Sequence, residues 1–173
     1  MILYTTLSRL LAADVCRNRY DVGILHLPPG YPEDSPIDLL YLVAACGVQD
    51  GLWAMRATQV PGRDVVMGAC RRFIGAARMR EGGVIAQDMI AQAEKFLSRV
   101  ENGSPKEMSD AACDISRLSA YSTSIAATEK VPPPGGSINV MFEAMRLADE
   151  AFQSALNEQS DILQSLLGGD DGK

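Results

Sequence analysis

The sequence predicts an all-α protein, a compact bundle of five or six helices with one irregular Pro-rich segment near residues 17–34. Three observations carry that expectation. Apolar residues recur at helical spacing through most of the chain. Gly-Gly, Pro-Gly and Pro-Pro steps cut it into stretches of helical length. No pair of alternating apolar segments flanks a hairpin turn. The 173 residues suit a single domain, expected over 1–167 and followed by a flexible polar tail, 168–173. With 47% hydrophobic and 22% charged residues, the chain has enough apolar surface to fold without staples, which excludes disorder of its bulk.

Taken in order, Thr5 or Thr6 caps a short helix in LSRLLAADVC. Residues 17–34 read as irregular because Pro28, Pro29, Gly30 and Pro32 interrupt regular structure, and a strand over Tyr20–Leu27 would have no sheet to join. Ser35-Pro36 opens a helix, IDLLYLVAAC, which ends at Gly47. Asp50 is the N-cap expected for a short helix carrying LWAMRAT. After Pro61-Gly62 comes RDVVMGACRRFIGAARM, with Val65, Val66, Ala69, Cys70, Phe73, Ala76 and Ala77 at helical spacing. Gly82-Gly83 precedes a helix over 84–100, whose expected inward stripe is Ile85, Met89, Ala93, Phe96 and Val100.

Ser104-Pro105-Lys106-Glu107 is the clearest local signal. An N-cap serine, proline at the first helical position and glutamate three residues after the cap make a capping box. Met108, Ala112, Ile115, Leu118, Ser122 and Ile125 mark one face of the helix that follows, and Ala111, Ala120, Ala126 and Ala127 allow close approach of neighbours. A connector, Pro132 to Gly136, leads to Ser137, the expected cap of the last helix. That helix has Val140, Met141, Ala144, Leu147, Ala148, Ala151, Ala155, Ile162 and Leu166 spaced for burial.

The net charge of -6 argues against a nucleic-acid ligand, because neutralising phosphates takes clustered Lys and Arg. The charge is polarised: net +1 over residues 1–86 and net -7 over 87–173. Such a molecule is steered toward a basic partner, or simply carries a solvated acidic surface. No apolar run approaches the ~20 residues that span a bilayer, so no membrane association is expected. The first eleven residues contain Arg9 and lack the features of a signal peptide. Cys16, Cys46, Cys70 and Cys113 have no CxxC spacing and read as reduced core thiols, which suits the cytoplasm.

Few residues can be assembled into a reaction centre. His26 is the sole histidine and no nucleophile motif accompanies it; one histidine and scattered cysteines make no zinc set; no phosphate-binding loop or calcium loop is present. The expectation is therefore a non-enzymatic protein without cofactor or metal. Arg71, Arg72, Arg78 and Arg80, with Arg63 upstream, form the sole basic cluster, read as pairing with the acidic second half.

The segment Asp50-Gly51-Leu52-Trp53-Ala54-Met55-Arg56-Ala57 stands out. Trp53, the only tryptophan, suits a core anchor, and Arg56 three residues on can share its face or pair with a carboxylate. Here the chain resembles small helical immunity proteins linked to bacterial toxin systems and phage genomes, the Imm-five-like group. The matching blocks are TLSRLLAADVC, EDSPIDLLYLVAACG, DGLWAMRA, VVMGACRRFIGAARM, AEKFLSRVENGSPKEMSDA and NEQSDILQSLLGG. The stretch SAYSTSIAATEKVPPPGG departs from the Ala/Trp-rich repeats of the group.

The resemblance implies a cytoplasmic protein that neutralises a protein partner, such as a toxin, by binding it, with Asp50, Leu52, Trp53 and Arg56 as motif residues of structural role. The contact surface it suggests is the acidic second half: Asp110, Asp114, Glu143, Asp149, Glu150 and Glu158. The Arg71–Arg80 cluster stays open as the alternative contact. Two other functions also remain open. One is a phage-encoded inhibitor of a host defence complex, such as an anti-CRISPR. The other is an oligomeric helical scaffold that self-associates through the last helix, 137–166.

Overall fold

A computed structural model describes residues 3–14, 17–59, 62–129 and 138–168. It is all-α apart from one two-stranded ladder. In chain order the elements are β1 (Tyr4–Thr5), α1 (Leu7–Ala12), α2 (Arg17–Leu25), β2 (Ile37–Asp38), α3 (Leu39–Cys46), α4 (Val48–Ala54), a 3-10 turn (Met55–Ala57), α5 (Arg63–Arg78), α6 (Val84–Lys95), α7 (Leu97–Asn102), α8 (Pro105–Thr128) and α9 (Ile138–Gly168).

α8 is the axis of the bundle, touching α4, α5, α6, α7 and α9. Its start is the expected capping box: the Glu107 N–H donates to Ser104 Oγ (3.3 Å) and the Ser104 N–H to Glu107 Oε2 (2.8 Å). That bonding holds the Glu107 carboxyl below its ordinary pKa. Around the helix, Met108, Ala112 and Ile115 are buried, as are Ala111, Ala120 and Ala126. So are Ser109, Ser116, Ser119, Ser122 and Ser124. A buried hydroxyl needs a partner, and all of these but Ser119 Oγ have one among the described residues. Ser122 donates to the Ala86 carbonyl of α6 (2.9 Å) and Ser124 to the Ala148 carbonyl of α9 (2.9 Å). Ser116 Oγ bonds to Gln159, whose amide returns a 3.0 Å bond to the Ser116 carbonyl. Small hydroxyl side chains thus let α6 and α9 close on α8 and also tie them to it.

Several expectations are corrected. Residues 17–25 are helical, not irregular or extended. The next helix is capped by Asp38, which accepts from the Leu40 N–H (2.8 Å), and not by Ser35. Ile37-Asp38 is instead drawn into an antiparallel pairing with Tyr4-Thr5, so a minimal sheet does exist. Asp50 lies in the first turn of α4, after Gly47 at the cap. The 84–100 segment is two helices with a break at Phe96, and its buried stripe is Ala86, Ile90, Ala93 and Val100; Ile85 is exposed. In α9 the fully buried positions are Ala155, Gln159, Leu163 and Leu167, and Met141 is exposed. Thr6 does cap α1, accepting from the Arg9 N–H (3.2 Å). Ser137, Cys16 and residues 169–173 of the expected tail lie outside the described residues, while Gly168 ends α9.

Among the described residues no helix is long and apolar enough to cross a membrane.

Candidate functional site

The block Asp50–Ala57 forms one wall of a cavity of about 510 Å³ that is partly open to solvent. The floor comes from Leu7 and Leu10 of α1, Ile37 of β2, Leu42 of α3 and Ala54 of α4. Trp53 forms a side. α2 lies over the cavity with Arg19, Tyr20 and Gly23 facing it, and Asp110, Cys113, Asp114 and Arg117 of α8 complete the rim. A volume in the range of several hundred Å³, an apolar floor and a few polar groups at the mouth are the ordinary attributes of a binding site.

α2 is held by few groups. None of its residues is buried, and Val22, Ile24 and Leu25 are exposed. Arg19 forms a two-pronged ion pair with Asp50, its Nε 2.9 Å from Asp50 Oδ1, and the Tyr41 hydroxyl of α3 donates to the His26 carbonyl just after the helix. His26 itself is exposed and does not line the cavity.

Arg56 props the opposite wall. Its side chain is only 5% exposed and lies over the Trp53 ring, 4.6 Å from the centroid. The guanidinium donates to the Trp53 carbonyl (3.2 Å), to Ser109 Oγ (3.1 Å) and to the Asp110 carboxylate. Ser109 in turn donates to the Leu52 carbonyl (2.9 Å). Asp110 also takes Lys106 (3.2 Å). Partial burial pushes the Asp110 carboxyl up, but the hydrogen bonds and charges of Arg56 and Lys106 outweigh it, so its pKa falls below the ordinary value.

The six acidic candidates fall in two places. Asp110 and Asp114 reach the cavity mouth, Asp114 paired with Arg117 (2.7 Å). Glu143, Asp149 and Glu150 lie on the first half of α9, where Arg146 bridges Glu143 (2.6 Å) and Glu150 (2.5 Å). Glu158 pairs with Arg80 (2.8 Å). Of the motif residues, Asp50 and Trp53 line the cavity, Leu52 is fully buried beneath it and Arg56 braces it. The arginine cluster is divided. Arg78 pairs with Glu94, and Arg63 caps α7 through the Val100, Glu101 (2.9 Å) and Gly103 (2.7 Å) carbonyls, while Arg71 and Arg72 are exposed.

Sequence reasoning missed the contributions of α1, α2 and Gln49, which lines the cavity from α4 and donates to Ser116 Oγ (2.6 Å). The spacing Asp114–Arg117 was a readable i,i+3 pair; the α1 and α2 contacts had no local signal. Among the described residues no group of three or more His, Cys, Asp or Glu is placed to hold a metal ion.

Cys46 and Cys113 also face the cavity. Burial pushes the Cys113 and Cys70 thiols up to about 12 from 9.0, and raises Cys46 as well. Burial favours the neutral thiol, so the stability contributed by Cys70 and Cys113 is complete below pH 9 and is lost as pH rises toward 12. Iodoacetamide at pH 8, read by peptide mass spectrometry, is expected to modify half-buried Cys46 before Cys113 and Cys70. Equal rates for the three in the folded protein would contradict the packing.

The chain matches no protein-family model, and no curated protein or solved structure is detectably similar to it.

Proposed function

We propose that this protein acts by binding a protein partner, in the manner of an immunity protein, and that the cavity beneath α2 receives an apolar side chain of that partner. The observation that carries the reading is a convergence. Asp50 and Trp53 of the motif block and Asp110 and Asp114 of the acidic set, about sixty residues apart in sequence, meet at one cavity mouth. An aromatic or aliphatic anchor would fill the floor, and an adjacent Lys or Arg would compete with Arg19, Lys106 and Arg117 for the rim carboxylates, a combination of anchor and charge that dominates many interfaces.

Binding without chemistry is favoured by the character of the lining. Its two thiols are held neutral by burial, and the sole histidine does not face them. The cytoplasm suits such thiols, and the acidic second half would speed capture of a basic partner.

Gly23 offers a test. It lines the cavity from α2, and a Cβ built there meets nothing within 4 Å. Gly23→Phe would plug the cavity from above without loss of helix propensity, since phenylalanine ranks above glycine as a helix former. Random peptides displayed on phage and selected on the wild-type protein should be enriched in an apolar residue beside a basic one, and should lose binding to Gly23→Phe. Enriched peptides that bind the plugged variant equally well would overturn the reading.

A further inference from the structure

Resting on the cavity reading, we infer that the partner's anchor is an aromatic side chain carrying a hydrogen-bond donor, tryptophan above all, and that Gln49 selects it. The two ends of a side-chain amide bond opposite partners, so the surrounding network decides which end meets a ligand. Here the network is fixed from one backbone carbonyl. The Ser116 carbonyl can only accept, and it takes the N–H of Gln159 Nε2 at 3.0 Å. Gln159 Oε1 therefore faces Ser116 Oγ and accepts its proton. Ser116 has one proton to give, so toward Gln49 it can only accept, and it does so from Nε2 at 2.6 Å. Both Ser116 and Gln159 are buried, so the order of donors and acceptors is set by these three side chains alone. Gln49 Oε1 is left over. It has no donor among the described residues, and Gln49 is half-buried in the wall of the cavity.

The rest of the lining does not make this selection. The charged groups of the rim are paired, Arg19 with Asp50, Lys106 with Asp110 and Arg117 with Asp114. The Tyr20 hydroxyl and the Cys46 thiol can turn to serve a donor or an acceptor, so they choose neither. An occupant that fills the apolar floor and offers Gln49 an N–H answers both demands. Indole suits them best. Its N–H donates and accepts nothing, its two rings have room in about 510 Å³, and Trp53 with Cys46 and Cys113 offers ring and sulfur contacts at the wall. A leucine or phenylalanine would strip water from Oε1 and give no bond in return.

The probes are indole, indene and benzofuran, bicyclic molecules of nearly equal size that offer Gln49 an N–H donor, no polar group and an acceptor oxygen. Titrated into the isotope-labelled full chain and followed by NMR at the Trp53 ring N–H, indole is expected to bind roughly tenfold tighter than the other two. Gln49→Met keeps the stem, drops the amide and leaves Ser116 bonded to Gln159, so it should bring the three to within about twofold of one another. Ser116→Ala frees the Gln49 amide to turn over, so benzofuran should gain on indole; should this buried change unfold the chain by circular dichroism, Gln49→Met decides alone. Gly23→Phe should abolish binding of all three. Equal binding of indole and indene, a preference for indole that survives Gln49→Met, or failure of indole to bind would each overturn the selection by Gln49. The phage selection separates this from the cavity reading. Enrichment of tryptophan is expected. Peptides rich in leucine or phenylalanine that still need the open cavity would overturn the choice of anchor and leave the cavity reading standing, whereas peptides indifferent to Gly23→Phe overturn the cavity reading itself.

Discussion

Arg56→Ala is expected to destabilise the protein by about 2–3 kcal/mol, lowering the thermal midpoint by roughly 5–10 °C. Removing one member of a buried ion pair commonly costs about 3–5 kcal/mol. Here Arg56 is buried but Asp110 is 51% exposed, so water recovers part of the loss. What water cannot recover is the packing of the guanidinium on Trp53 and its bonds to the Trp53 carbonyl and Ser109. Arg56→Lys keeps the charge but loses the planar fork, and should fall between Ala and wild type. Arg56→Met keeps the stem's volume without the charge, and Asp110 retains Lys106, so it too should cost less than Ala. Urea unfolding of the three variants decides the matter. A loss below about 0.5 kcal/mol for Arg56→Ala would mean that the side chain is no strut.

The same residue shows how far local sequence carries. The pairing of Trp53 with Arg56 three residues on is a statement about one helical turn, and it holds. So does the capping box at Ser104, where every participant lies within four residues. Expectations fail where tertiary contacts outweigh an equally good local signal. Ser35-Pro36 has the form of a helix start, yet the ladder with Tyr4-Thr5 extends Ile37-Asp38 and moves the cap to Asp38. α2 escapes notice because a helix with no fully buried residue, and only Tyr20 packed against the core, has no apolar stripe to read, and Gly23 with the downstream prolines argues against it. Only the first turns of the α6 stripe are displaced by one position, from Ile85 and Met89 to Ala86 and Ile90, where Ser122 of α8 closes on the Ala86 carbonyl, while Ala93 and Val100 are buried as expected. The cavity was legible only in pieces. Asp50, Trp53, Asp110 and Asp114 could be singled out one by one, but their meeting depends on α4 crossing α8, a contact with no trace in local sequence.

Gly51→Ala should be destabilising although alanine is the better helix former, and Gly51→Leu more so. Exchanging glycine for alanine within a helix gains about 1 kcal/mol. A Cβ at Gly51, however, would run into Val43 Cγ2 of α3, with Val43 Cβ at 3.4 Å and Leu163 Cδ2 at 3.6 Å behind it. Val43 is 1% exposed and β-branched, so its side chain has essentially one rotamer in a helix and no room to turn away. Overpacking of this kind costs about 1–3 kcal/mol, which outweighs the gain in propensity. Gly23→Ala provides the opposite sign in the same background, since its Cβ enters open space. The decisive measurement is a double-mutant cycle with Val43→Ala. That substitution alone leaves a cavity and is destabilising, but it removes the atom that Gly51→Ala strikes. The double variant should therefore be more stable than the sum of the singles by about 1–2 kcal/mol. Strict additivity would show that α3 and α4 are not in the close contact that seats Trp53 and Asp50 at the cavity, and the glycine of this block would then have no packing role.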